Sequence, residues 1–151
     1  MKEWWLRHKV IMEDPELRKQ ITENSTKLSC TFKWFQMFAG TNPMTYHKVM
    51  FTRGVMQLGS VEQAQHYESL MNHWQVIGCY AQTELGHGSD VAGLETTAEL
   101  DMKTDEFVIH TPSIKAIKFW PGNLSVQANH AIVFARCIAD GSDYGVQPFL
   151  V

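Results

Sequence analysis

Residues Cys79 to Gly93, Cys-Tyr-Ala-Gln-Thr-Glu-Leu-Gly-His-Gly-Ser-Asp-Val-Ala-Gly, combine the side chains and the backbone freedom of a small-molecule site. Glycine stands at 86, 88 and 93, with Ser89 and Asp90 directly after the second. Glycine lets a main chain come close to a flat ligand and turn its N–H groups toward that ligand's acceptors. The apolar run Val76-Ile77-Gly78-Cys79-Tyr80-Ala81 enters this loop as a strand and stops at the polar step Gln82-Thr83-Glu84. A strand end that opens into such a loop suits a cofactor rich in hydrogen-bond acceptors.

Other chemistries at these residue types fail on spacing. Gly86-x-Gly88 opens like a dinucleotide fingerprint, but the third glycine is due where Val91 stands and no helical pattern follows. No Gly-Lys-Ser/Thr occurs for a phosphate-binding P-loop. The seven histidines (8, 47, 66, 73, 87, 110 and 130) have no His-x-x-x-His or Glu-flanked spacing, so no metal is expected. His87, Ser89 and Asp90 are triad residue types, yet neighbours on one glycine loop do not converge as a relay.

The elements that must hold the loop divide the chain by period. The first half reads as helix. Asp14-Pro15 is an N-cap with proline at the first helical position, and Leu17, Ile21, Leu28, Phe32 and Phe35 form one apolar face until Gly40-Thr-Asn-Pro43 breaks it. A second helix carries Tyr46, Val49, Met50 and Met56 before Gly59. Ser60-Val-Glu-Gln63 is a capping box that starts a third, with Ala64, Tyr67, Leu70 and Met71 on its apolar side. These Met and aromatic stripes, like Trp4, Trp5 and Trp34, read as core packing. From Val76 the period becomes two, with strands expected at 76–82, 94–100, 106–110, 114–120, 129–139 and 146–151. The turns between them are Asp101–Asp105, Pro121–Asn123 and Asp140–Gly145. The expected fold is α+β, a helical part at 1–74 followed at 75–151 by a mostly antiparallel sheet or open barrel, since no helix separates the strands.

Bulk properties exclude several classes. With 44% hydrophobic and 19% charged residues the chain can build a core. Its net charge of −3, with both signs interspersed, gives no basic block for nucleic acid or an anionic membrane. No apolar run approaches the roughly 20 residues of a bilayer span, and the N-terminus is not a signal peptide. Cys30, Cys79 and Cys137 are widely spaced, which suggests reduced thiols in an intracellular protein. The last residues, Pro148-Phe-Leu-Val151, read as a strand cut in mid-course and carry no targeting tripeptide.

Thr83-Glu-Leu-Gly-His-Gly-Ser-Asp90 resembles the Thr-Glu-Pro-x-x-Gly-Ser-Asp signature of the acyl-CoA dehydrogenase and oxidase superfamily, with Leu85 in place of the usual proline. Val91-Ala-Gly-Leu-Glu-Thr-Thr-Ala98 and Ile117-Lys-Phe-Trp-Pro-Gly122 continue the match. The Gly-His-Gly spelling, the Gly93-Leu-Glu-Thr-Thr run, Trp120-Pro-Gly-Asn and Asn129-His-Ala-Ile-Val-Phe-Ala135 resemble the peroxisomal acyl-CoA oxidase branch. The resemblance implies FAD as cofactor, fatty acyl-CoA and O2 as substrates, a peroxisomal setting and a homodimer at full length. It also implies that Thr83 binds the flavin edge, that Gly122 passes close to it, that Trp120 flanks the ring, and that Ser89 lies where flavin meets the acyl-CoA chain. No catalytic residue is expected, because the family's glutamate base lies on a C-terminal helical domain outside this chain; Glu84 and Asp90 are expected to hold the loop instead. The alternatives are a non-catalytic interaction protein that reuses the fold and an acyl-CoA dehydrogenase.

Overall fold

The computed structural model describes residues 14–16, 44–124 and 126–151. Of the helix expected from Asp14, only its start lies among them, where Asp14 Oδ1 accepts the Glu16 N–H at 2.9 Å. Its apolar face, the break at 40–43, and the packing of Trp4, Trp5, Trp34 and Cys30 lie outside the described residues. The chain divides into two compact units, Met1–Thr45 and Tyr46–Val151, and the second carries the sheet and the glycine loop.

One wide turn of π-helix, His47–Phe51, runs directly into helix α1, Thr52–Leu58, with the Thr52 N–H reaching back to the His47 carbonyl. Gly59 ends α1, and helix α2, Val61–Asn72, starts on the expected capping box. Ser60 Oγ accepts the Gln63 N–H at 3.2 Å and Gln63 Oε1 accepts the Ser60 N–H at 2.8 Å, which satisfies two otherwise orphaned donors. The inward face of α2 is the expected one, with Ala64 and Met71 buried and Tyr67 and Leu70 half-buried.

The earlier helix turns a different face inward. Tyr46, Met50 and Met56 are exposed, while His47, Phe51, Gly54 and Val55 are buried. The inward stripe begins at a histidine, which hydropathy places outside. Here its Nδ1 accepts the Gly78 N–H at 3.1 Å, inside the protein. Phe51 then lies flat on Gly78, where any Cβ would overlap its ring.

The sheet is organised around one long strand. Strands β1 (Gly78–Ala81), β2 (Thr97–Asp101), β3 (Glu106–His110), β4 (His130–Ala139) and β5 (Ser142–Leu150) form it. On one side of β4 lies β5, antiparallel; on the other, β1 pairs parallel with residues 130–133 and β2 pairs parallel with residues 136–138. Antiparallel β3 flanks β2. The sheet is therefore mixed, in an α+β unit, with two parallel and two antiparallel pairings among the described strands. Parallel strands need a crossover of a dozen or more residues, and here loops and the β2–β3 hairpin supply it without a helix. Asp140 and Gly141, with φ of 50° and 71°, make the two-residue turn whose twist suits the β4–β5 hairpin. The expected strand at 114–120 is instead a single 3-10 turn, Ile114–Ala116, followed by an isolated bridge between Lys118 and Glu84.

The helices meet the sheet over a core of Phe51, Val55, Met71, Val76 and Ile132, with Tyr67, Leu70, Tyr80 and Phe134 packed against it. Buried in its rim, His47 stacks on Phe51 with ring centroids 5.6 Å apart, and its Nε2 makes no hydrogen bond to a described residue. Burial, then the neighbouring Lys48 charge, lowers its pKa to about 4 against the opposing pull of the Met71 carbonyl. An unfolded histidine takes up its proton near 6.5, so between 6.5 and about 4 the unfolded chain binds more protons than the folded one. Stability is thus full above 6.5 and falls on acidification, by at most about 1.4 kcal/mol per pH unit from this group. Urea unfolding at a series of pH values between 7.5 and 5.5 is expected to show that decline in the wild-type chain and a flatter profile in His47→Asn. A wild-type profile as flat as the variant's would exclude the histidine as the source.

Candidate functional site

The glycine loop and the segment before Gly122 lie side by side as an irregular antiparallel ribbon. Tyr80 N–H donates to the Pro121 carbonyl at 3.0 Å, Phe119 N–H to Thr83 at 2.9 Å, Leu85 N–H to Ile117 at 3.0 Å and Gly86 N–H to Lys115 at 2.8 Å. The ribbon brings Thr83 opposite the Phe119–Trp120 pair, with Gly122 two residues further along the same run. Ser89 is not on the ribbon. It stands in the exposed turn beyond it, and its carbonyl accepts the Val91 N–H at 3.0 Å.

What holds the ribbon is a carboxylate that is 2% exposed. Glu84 Oε2 accepts the Glu95 N–H at 2.8 Å, and Oε1 accepts the Thr96 N–H at 2.9 Å, the Thr96 hydroxyl and the Lys118 ammonium at 3.0 Å. Lys118 Nζ also donates to the Phe134 carbonyl at 2.6 Å and to that of Gln82 at 3.2 Å. One buried ion pair thereby ties together the loop, the approach to β2, the opposing run and the middle of β4. Burial alone would raise the Glu84 pKa, but the Thr96 hydroxyl, the two N–H groups and Lys118 together hold it below the ordinary carboxylate range. Burial lowers the Lys118 pKa, with Glu84 opposing.

A second set of contacts fixes the far end of the loop. Asp90 Oδ1 accepts the Gly93 N–H at 3.0 Å and caps the short turn Val91–Gly93. Arg136 on β4 reaches the Ala92 carbonyl at 2.7 Å and the Asp143 carboxylate at 2.7 Å. Sequence reasoning misses Lys118, Thr96 and Arg136. The available signal is a lone lysine inside the apolar run Ile117-Lys-Phe119, where a charge persists only if it is paired.

The loop's donors separate into those already used and those still available. The Gly86 and His87 N–H groups are taken, by the carbonyls of Lys115 and Glu84. Those of Gly88, Ser89 and Asp90 donate to no other described residue, and neither does the Thr83 hydroxyl. Gly88 has an ordinary φ, and a Cβ there would meet nothing within 4 Å, so no requirement of the chain itself explains a glycine at that position. Gly122 differs: its φ of +72° and the Tyr46 ring 2.9 Å from a Cβ account for it within the chain. Trp120 adopts φ 43°, is 73% exposed and stacks on Phe119 with centroids 5.8 Å apart. Among the described residues no group of three or more His, Cys, Asp or Glu could hold a metal ion, and no helix is long and apolar enough to cross a membrane.

Lys118→Met leaves Glu84 buried without its counter-ion and is expected to cost about 3 kcal/mol, with Glu84→Gln in the same chain recovering part of the loss. Because Glu84 is held below the ordinary carboxylate range, its stabilisation is present above that range and is lost as acid protonates it. The acid side of a thermal-stability profile should therefore flatten in Glu84→Gln. Additive single-variant losses, or an unchanged acid limb, would remove the pair from its central position.

No family model matches the chain. Over 105 residues it is 56% identical to peroxisomal acyl-coenzyme A oxidase 1 of Arabidopsis thaliana, which is 70% of this chain and 16% of that protein. It is 41% identical over 120 residues to the peroxisomal acyl-coenzyme A oxidase 1 of Mus musculus, which is 80% of this chain and 18% of that protein. The structure of acyl-CoA oxidase-1 of Caenorhabditis elegans complexed with FAD and ATP superposes with a TM-score of 0.76 at 36% identity, over 96% of this chain and 23% of that one. The chain thus spans about a sixth of the length of the curated relatives it matches. Identity at this level over most of its residues, joined to the shared fold, makes it a member of the acyl-CoA oxidase family that corresponds to one part of its relatives' length.

Proposed function

We propose that the chain supplies one wall of the flavin site of a FAD-dependent acyl-CoA oxidase, acting on fatty acyl-CoA. The observation that carries this is the set of unengaged donors, the Thr83 hydroxyl and the Gly88–Asp90 N–H groups, next to a run, Glu84–His87, whose N–H groups are used internally. An isoalloxazine edge is rich in acceptors, so the donor set fits the group. Gly88 also offers an approach that no side chain blocks. A bound FAD would supply the redox chemistry by which the acyl-CoA loses its β-hydride and α-proton to become a trans-2-enoyl-CoA, with O2 reduced to hydrogen peroxide. Thr83 and the Gly88–Asp90 arc hold the electron-rich edge of the ring, with fixed donors that favour negative charge there. Trp120, exposed and propped on Phe119, would flank the ring, Gly122 would approach it from the second run, and Ser89 would serve the join with the acyl chain.

In this reading the chain contributes binding and orientation but no proton transfer. Glu84 is committed to Lys118 and Thr96, and Asp90 caps a turn, so neither is available to take the α-proton. The base carboxylate would come from a C-terminal helical domain outside residues 1–151. The domain division at 1–74 and 75–151, an open-barrel form of the β domain, a homodimeric enzyme and a peroxisomal location complete the proposal. Support for the compartment comes from the names of the relatives.

Titrating the chain with FAD, followed by flavin absorbance and quenching of tryptophan fluorescence, tests the reading. Saturable binding is expected, weakened about fivefold or more by Thr83→Val through loss of one hydrogen bond, and by Gly88→Ala through the added methyl. Both variants should unfold within about 0.5 kcal/mol of wild type, since the Thr83 hydroxyl donates to no described residue, valine keeps its bulk, and a Cβ at Gly88 meets nothing within 4 Å. Wild-type binding that neither substitution affects would place the flavin elsewhere.

A further inference from the structure

Glu95 stands just before β2, between the glycine loop and the turn that opens at Ser113. Its backbone N–H is held by Glu84, and its side chain, about two-fifths exposed, makes two further contacts. Oε1 meets His87 Nε2 at 3.1 Å, and Oε2 accepts the Ser113 hydroxyl at 2.9 Å. A carboxylate only accepts, so the His87 proton in this contact sits on Nε2 and Nδ1 is left as the acceptor of the neutral ring. The acid, not the imidazole, is in the middle of the three. Ser113 therefore donates to a carboxylate and is not activated as a nucleophile. The His87 hydrogen bond, then that of Ser113, with the Lys115 charge adding to them, lowers the Glu95 pKa and keeps it ionised.

The position of this bridge gives it a consequence for the loop. His87 is the last residue before the arc whose N–H is spent internally, and the three unengaged N–H groups come directly after it, at Gly88, Ser89 and Asp90. The buried Glu84–Lys118 pair fixes the ribbon, and the Glu84 main chain exchanges two hydrogen bonds of 3.2 Å with that of His87, but neither reaches the arc itself. Asp90 fixes only its far end, through Gly93. Between those anchors the one side-chain hold on the arc among the described residues is His87, and Glu95 holds His87.

We infer that Glu95 is a positioning residue for the cofactor loop: by clamping His87 against Ser113 it sets the arc Gly88–Asp90 relative to Thr83 and so determines how tightly the flavin edge is held. The inference rests on the flavin reading above, and its test separates the two. In the 15N-labelled chain, His87 should show the Nε2-protonated tautomer when neutral, and Glu95→Ala should release it to a mixture. The same variant should speed hydrogen exchange of the Gly86 and His87 amides about tenfold and weaken FAD binding by about the same factor. Glu95→Gln accepts from His87 through its carbonyl and donates to Ser113 through its amide, so it should restore both properties to within about threefold of wild type. Unchanged FAD affinity in Glu95→Ala, or a Gln variant no better than Ala, would overturn the inference. A wild-type chain that takes up no FAD would overturn the flavin reading, while tautomer and exchange still decide whether Glu95 sets the arc. Should Glu95→Ala fail to fold, Ser113→Ala removes one of the two holds and must show the same exchange change in smaller degree, or the inference fails.

Discussion

The site depends on a single buried ion pair. Glu84 and Lys118 belong to runs that form no regular strands, so no ladder would keep them together, and the ribbon they make has only four main-chain hydrogen bonds around them. A buried charge without partners is among the costliest features a fold can carry. Here each member is saturated: the carboxylate receives four donors and the ammonium has three acceptors. Such a pair adds little net stability compared with an apolar substitute, but it specifies one arrangement. Any slip of one run past the other strands two charges at once, and irregular backbone gains from it the register that a strand obtains from its ladder.

Around that pair the loop is graded. Its first half is pinned from below by buried contacts, its far end by the Asp90 cap and by Arg136 from β4, and its middle by surface contacts alone. A loop that must accept a planar group is served by this order. The ends are held by several contacts each, and the middle, Gly88–Asp90, keeps its backbone donors unspent and its side chains small.

How much of this is legible in the sequence depends on whether the signal is local. The capping box at Ser60 and the face of α2 are readable because each is set by residues within a few positions of one another, whereas the turn expected at Asp140–Gly145 is only Asp140–Gly141, with β5 already paired from Ser142. The inward face of the preceding helix is not, because His47 is drawn inside by the Gly78 N–H, 31 residues away. The strand expected at 114–120 has the alternation of a strand, but its partner is the irregular run 83–86, so it bridges at one residue pair instead of building a ladder. The parallel pairings of the mixed sheet leave no local mark either, because their crossovers are loops and a hairpin where a helical period would announce them. In the site, the motif locates Thr83, Trp120 and Gly122 on facing runs, while the Lys118 and Glu95 contacts, spanning 36 and 18 residues at their longest, leave no local pattern.

The pairing of β1 and β2 with the same edge of β4 has a geometric consequence. The last partner of β1 is Val133 and the first partner of β2 is Arg136, three residues apart on one strand, so the points where the glycine loop leaves and re-enters the sheet are separated by roughly 10 Å. That gap is set by β4 and not by the loop. Closure entropy grows only with the logarithm of loop length, so lengthening or re-spelling residues 82–96 alters neither the gap nor, by much, the cost of bridging it. One residue added to or lost from β4 between those two partners, in contrast, would carry exit and entry out of step and turn the inward side chains outward. The frame is thus set in β4 and not in the loop, so a change within 82–96 that spares the Glu84–Thr96–Lys118 contacts leaves exit and entry where they stand.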